Sequence, residues 1–205
     1  MIDKNKLHLF FDTETAGFIT KSLPYDDPKQ SWCVQIGAIL STADEIISEL
    51  DVLIKPNGRE IPEFLTKNVH RISTEQAQKE GIEELEALEK FAAMCKDHPI
   101  QICHNYDFDS AFIYQMFQRQ MDNLTDEARS IFFIDLPHFC TMKDKAIVNF
   151  CGLRNKANRP KWPKLEELYE ILFNENFPNA HNALADARAT HRCFYELIKR
   201  EIIIF

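Results

Sequence analysis

Asp12 and Glu14 stand one residue apart at the end of an apolar run, Leu7-His8-Leu9-Phe10-Phe11. A run of this kind beside turn residues predicts a buried strand. Side chains alternate along a strand, so both carboxylates point the same way. Two anions side by side at a buried strand end repel, and burial sharpens the repulsion. A divalent cation is the simplest relief, because carboxylate oxygens are preferred ligands of Mg²⁺ and Mn²⁺. The same spacing also fits a solvated strand end with no metal, so the rest of the chain has to decide. It offers two more acidic segments. Asp107 and Asp109 follow the short apolar run Ile100-Gln101-Ile102-Cys103, and Asp186 stands five residues after His181. In open α/β sheets ligands gather outside the strand ends. Acids at two such ends, joined by one from a late helix, can converge on metal.

The elements that would position these groups are legible in outline. After the first strand, residues 20–31 are polar, carry Pro24 and Pro28, and read as a loop. Residues 32–40 and 45–55 read as a second and third strand, the latter closed by Pro56-Asn57-Gly58, which predicts an antiparallel meander. Pro62 sits at a plausible helix start, and Ser73 with Gln76 three residues on suggests an N-cap. Ile82, Leu85, Leu88, Ala92 and Cys95 fall near helical spacing. Residues 100–103 read as a fourth strand, and a helical pattern follows Asp109. Residues 131–135 read as a fifth strand, and 165–173 and 182–198 as helices. Strands alternating with helices in the second half favour parallel pairing there. The expected fold class is α/β, a mixed sheet of about five strands flanked by helices, in one domain spanning residues 1–205.

Composition agrees and excludes other classes. A chain of 205 residues, 45% hydrophobic with 16 Phe, can bury a sizeable core. No apolar run approaches a membrane span, and residues 1–6 lack the layout of a signal peptide, so a cytoplasmic protein is expected. The six Cys are scattered without a Cys-x-x-Cys pair and read as free thiols. The net charge of −8 argues against tight non-specific binding to duplex nucleic acid. Charge is unevenly spread, however. Residues 143–164 hold Lys143, Lys145, Arg154, Lys156, Arg159, Lys161 and Lys164 against the single acid Asp144, a local charge of +6.

Three segments carry a family resemblance. Phe11-Asp12-Thr13-Glu14-Thr15-Ala16-Gly17-Phe18 resembles the first motif of the DnaQ-like 3′–5′ exonucleases. His104-Asn105-Tyr106-Asp107-Phe108-Asp109 resembles their second, and His181-Asn182-Ala183-Leu184-Ala185-Asp186 their third. The order and separations fit the DEDDh subgroup, and the likeness runs from the first strand to the last helix. It implies a ribonuclease H-like fold. It places Asp12, Glu14, Asp109 and Asp186 on the family's metal-binding acids and His181 on its general base. The motif spacing selects Asp109; Asp107 then reads as an acid favoured by a helix N-terminus. The sister subgroup has Tyr four positions before the last Asp, where this chain has Asn182.

The chemistry implied is hydrolysis of phosphodiesters at the 3′ end of single-stranded nucleic acid, DNA favoured slightly over RNA, releasing nucleoside monophosphates. Two Mg²⁺ or Mn²⁺ ions about 3.5–4 Å apart would stabilise the attacking and leaving oxygens. Asp12 would bridge them, Glu14 and Asp186 would complete one site, and Asp109 would serve the other. His181 would take a proton from the attacking water, a task suited to an imidazole with an ordinary pKa of about 6.5. Thr15 and Ala16 fall where the family's backbone contacts the terminal nucleotide. His70, in Val69-His70-Arg71-Ile72, falls near the substrate's 3′ end or is an ordinary turn residue. Asn105 contacts substrate or braces the strand end. The basic stretch, with Trp162 and Phe150, is placed to guide a phosphate backbone or is a solvated face.

The expected partner is a single-stranded 3′ end. The resemblance leaves room for a polymerase or repair partner and for a homodimer, as in some relatives. The alternative is an inactive nucleic-acid-binding or polymerase-associated module, against which the complete acid set argues. A zinc hydrolase is weaker still, since no His or Cys pair has zinc-ligand spacing.

Overall fold

The apolar run ending at Asp12 forms β1 (His8–Thr15), buried along almost its whole length. In the computed structural model, which describes residues 5–177 and 180–205, it is the central strand of a five-stranded sheet. Residues 1–4, part of the N-terminal stretch read above, lie outside the described residues, as do 178–179. β1 pairs antiparallel with β2 (Cys33–Ser41), which pairs antiparallel with β3 (Ile46–Leu53). On its other side β1 pairs in parallel with β4 (Ile100–Cys103), and β4 with β5 (His138–Cys140). The meander and the switch to parallel pairing are both as the sequence suggests.

Neighbouring Phe residues face opposite sides of the sheet, as the strand period requires. Phe11 packs into a core with Leu88, Phe91 and Phe112, from α3 (Glu84–Cys95) and α4 (Tyr106–Gln120). Phe10 packs into a second core with Leu168, Leu172 and Phe194, from α7 (Leu165–Phe173) and α8 (Ala183–Lys199). Burying each such side chain stabilises the fold by about 1.5–3 kcal/mol. The sheet is therefore clamped on both faces, and its strand ends are fixed.

Two short helices bridge β3 and α3. α1 (Glu63–Asn68) starts after Pro62, and α2 (Thr74–Glu80) is capped by Ser73 Oγ, which accepts from Gln76 N at 3.1 Å. Residues 131–135 are not a strand. α5 (Asp126–Ile131), capped by Thr125, ends there in turns, and the fifth strand begins only at His138. Phe132 stacks on Phe117 while Phe133 is 70% exposed, so the apolar run is the end of a helix and its exit turn. A short apolar run cannot by itself distinguish the two. The basic stretch also contains α6 (Lys145–Cys151), capped by Asp144, a helix the sequence reading does not include.

One glycine decides how the late helix approaches. A Cβ on Gly37 would lie 2.1 Å from the Leu184 backbone nitrogen. Only a bare backbone lets the start of α8 rest against β2 there. Gly37 is the β2 residue opposite Asp12.

Candidate active site

Three elements deliver the four acids: β1, α4 and α8. Asp12 and Glu14 lie opposite Gly37 and Gln35 in the β1–β2 register, which shifts just after Glu14. Asp109 sits in the first turn of α4, which follows β4 directly through Asn105 in a left-handed conformation, φ 85°. Asp109 Oδ1 accepts from Thr13 N at 2.9 Å and Thr13 Oγ1 at 2.8 Å, tying α4 to β1. Asp186 lies in the first turn of α8, where Asn182 Oδ1 caps Ala185 N at 3.1 Å. Ala183 N donates to Gln35 Oε1 at 3.1 Å, pinning the helix start to β2. His181, with φ 68°, donates its backbone N–H to Asp186 Oδ2 at 3.3 Å.

Asp12, Glu14, Asp109, Asp186 and His181 all line one cleft of about 380 Å³. Oxygens of Glu14 and Asp186 and a ring nitrogen of His181 lie within 4.8 Å of one another. Glu14 and Asp109 are buried, Asp12 and Asp186 half-buried, and the His181 ring is about half exposed. None of the four acids forms an ion pair with Lys or Arg among the described residues. Burial first, then Asp186 and Asp109, pushes the Glu14 carboxyl up to about 8. Burial raises Asp109 to about 7 against the pull of the Thr13 hydrogen bonds, and raises Asp186 to about 7. Asp12 is held well above the carboxylate range by burial and then by Asp109, Asp186 and Glu14.

Such a cluster keeps protons near neutral pH unless positive charge enters. Asp186 Oδ1 is buried and has no hydrogen-bond partner among the described residues. A buried anionic oxygen left unmatched, beside three further carboxylates, suits a hard divalent cation. The donor set therefore fits a divalent cation.

The remaining sequence candidates divide. Asp107 is exposed and pairs with Lys143, outside the acid cluster. Asn105 lines the cleft. His70 is buried beside the Thr15 carbonyl; its Nδ1 accepts from Ile72 N at 3.1 Å, and burial lowers its pKa. Thr15 Oγ1 donates to Gly17 O at 2.8 Å. Ala16 N donates to Trp32 O at 2.9 Å, so its N–H is already engaged by the sheet.

Several site residues escape sequence reasoning. Glu166, in the first turn of α7, brings Oε1 to 3.6 Å from His181 Nε2. His104 braces the cleft wall: Nε2 donates to Pro163 O at 3.0 Å, and Nδ1 takes the Thr141 hydroxyl at 2.9 Å. Burial drives its pKa down to about 4, keeping the ring neutral for this bridge. Phe18 is 82% exposed and meets Phe108 of the cleft edge-on, with ring centroids 5.8 Å apart.

Comparison with known proteins follows the same lines. The RNase T family model, described as Exonuclease, matches residues 9–194. The chain belongs to this exonuclease family. The DnaQ-like resemblance and the ribonuclease H-like fold accordingly stand. Among solved structures it is similar to Escherichia coli Exonuclease I in complex with a dT13 oligonucleotide, with TM-score 0.74 and 18% identity over 96% of this chain and 42% of that one. The zinc ion bound form of the Escherichia coli enzyme with single-stranded DNA gives TM-score 0.73 and 20% identity over 96% and 41%. A moderately thermophilic Exonuclease I from Methylocaldum szegediense gives TM-score 0.70 and 16% identity over the same shares. At these identities the likeness is one of fold, and the chain spans well under half the length of these relatives. Comparison with curated proteins finds no match. No helix among the described residues is long and apolar enough to cross a membrane.

Proposed function

We propose that this chain hydrolyses single-stranded DNA from its 3′ end, releasing nucleoside 5′-monophosphates. The observation that carries the reading is the gathering of four carboxylates without a basic partner beside one imidazole, with Asp186 Oδ1 unmatched. Family membership supports exonuclease chemistry. The oligonucleotides bound to Escherichia coli Exonuclease I, dT13 and dA16, favour DNA as substrate.

Asp12, Glu14, Asp109 and Asp186 would hold two divalent cations. Bound there, the cations would supply Lewis acidity and neutralise charge on the phosphate under attack. The chain's own groups do the rest. Thr13 fixes Asp109 through two hydrogen bonds, so that carboxylate needs no reorganisation. His181 stands at the open side of the cluster and takes the proton of the attacking water. Glu166 lies close enough to stabilise the imidazolium so formed. The Phe18 and Phe108 rings offer faces on which terminal bases stack.

The test is a 5′-labelled dT16 strand incubated with the chain and Mg²⁺ or Mn²⁺. Stepwise shortening from the 3′ end with release of dTMP is expected, and none in EDTA. Internal cuts, or release that ignores EDTA, would overturn the proposal.

A further inference from the structure

The basic stretch is not absorbed by the catalytic site, yet it is built against it. Residues 153–161 fold back as a braced finger. Arg154 bridges Pro160 in antiparallel fashion, Asn155 N donates to Arg159 O at 2.9 Å, and Lys161 N donates to Leu153 O at 3.0 Å. Asn155 Oδ1 closes the tip by accepting from Ala157 N at 2.9 Å and Arg159 N at 3.0 Å. Three side chains on this finger, Arg154, Lys156 and Arg159, are exposed and form no ion pair among the described residues. Lys21, Lys29, Arg71 and Lys79 are likewise exposed without an ion pair among the described residues, but singly; the finger gathers three such cations within six residues.

The finger is joined to the cleft by a short, fixed base. Trp162 follows it, 56% exposed, with Lys143 Nζ 5.3 Å from its ring centroid. Lys143 also reaches Asp107, in the first turn of α4 beside Asp109. Pro163 is held by His104, and Lys164 itself lines the cleft. From Lys164 to the finger tip is at most about 20 Å, taking six residues at ~3.3 Å each. With one phosphate per roughly 3.4 Å of a stacked strand, that reach covers about six nucleotides.

We infer that the finger and Trp162 form a second binding site, for the phosphate backbone and bases of single-stranded nucleic acid upstream of the terminal nucleotide. This rests on the nuclease reading for its direction only; the cations and the indole bind a strand whether or not it is cut. An exposed aromatic face beside unpaired cations is the arrangement that holds single strands without reading sequence. The site would retain the strand between successive cleavages.

The test compares binding of dT4 and dT16, with rU16 as a further arm, in EDTA over a range of salt. For single strands the slope of log K against log[salt] is about 0.7 per phosphate contact, so Arg154→Gln/Lys156→Gln/Arg159→Gln should lower the dT16 slope by about 2. Trp162→Ala should weaken dT16 binding roughly tenfold through lost stacking. The dT4 strand reaches Trp162 but not the finger tip, so it should respond far less to the triple variant. Lys199→Gln, at the opposite end of α8 from the cleft, is the control and should change nothing. Equal loss for dT4 and dT16 in the triple variant, or an unchanged slope for dT16, would overturn the inference. Equal response of rU16 supports a backbone site. Hydrolysis of thymidine 5′-monophosphate p-nitrophenyl ester by the wild-type chain with Mn²⁺ tests the nuclease reading separately. Ester hydrolysis with an unchanged slope sinks the finger alone; a lost slope without ester hydrolysis sinks the nuclease reading alone.

Discussion

Glu84 and Glu14 are both buried, 4% and 7% exposed, and their surroundings are opposite. Glu84 opens α3 and receives Arg119 Nε at 2.9 Å, Arg119 Nη2 at 2.6 Å and Gln120 Nε2 at 3.2 Å, with Arg59 Nη1 at 3.6 Å. Arg59 in turn lies over the Trp32 ring, 4.5 Å from its centroid. The chain thus supplies Glu84 with two counter-charges. Glu14 instead faces Asp186 and Asp109, and no Lys or Arg pairs with it among the described residues. A buried carboxylate that the fold neutralises is architecture. One that the fold leaves to repel its neighbours is a site awaiting charge from outside.

Substitutions sharpen that contrast, and the largest effect is on turnover. Asp12→Ala should abolish metal-dependent nucleotide release. It removes one of four mutually repelling groups, so it should also raise Tm in EDTA; wild-type rates in this variant would break the metal assignment. His181→Ala should slow release by roughly 10²–10⁴-fold, the range for a lost general base, with the fold intact by circular dichroism. A rate close to wild type would remove His181 from the reaction.

The architectural carboxylate should behave in the reverse way. Glu84→Gln leaves the half-buried Arg119 and Arg59 without their carboxylate, which costs about 2–3 kcal/mol, below the range for a fully buried pair. At roughly 2–4 °C per kcal/mol, a clear fall in Tm should follow at any metal concentration. A Tm within a degree of wild type would mean that the pair contributes little.

The smallest predicted effect is a pH trend. In EDTA, Glu14, Asp109 and Asp186 hold protons up to about 8, 7 and 7 in the folded chain, but only to ordinary carboxylate values when unfolded. The folded state thus binds more protons between about pH 4 and 8, and stability falls as pH rises through that window. A loss of even 2 kcal/mol would lower Tm by roughly 4–8 °C between pH 5 and 8. Mn²⁺ should abolish the trend, and Glu14→Gln should flatten it. A Tm that climbs with pH in EDTA would contradict the raised values.

Only the Glu14 side of this contrast was legible in the sequence; Glu84 and Arg119, 35 residues apart, carry no local signal of their pairing. Strand spacing pairs Asp12 with Glu14, the family resemblance picks out Asp109, Asp186 and His181, and all five line one cleft. The strands around them are continuous apolar runs, as both-face burial requires. Residues 131–135 read as a strand because a short apolar run does not tell a strand from the end of a helix, here α5. Gly37 inside a strand does announce a close backbone approach, but not that the visitor is α8. Glu166 carries no local signal, and His104, though it opens the second motif, does not announce its reach to Pro163 across 59 residues, because only the folded chain brings these groups together.

The central claim is that the four acids wait for a divalent cation. Titrating Mn²⁺ into the metal-free chain at pH 7 in weak buffer, while following pH, tests it directly. Carboxylates that hold protons must give them up on coordination, so saturable release of about one proton or more per chain is expected, lost in Asp12→Ala. Mn²⁺ binding without proton release, or equal release from Asp12→Ala, would contradict the account.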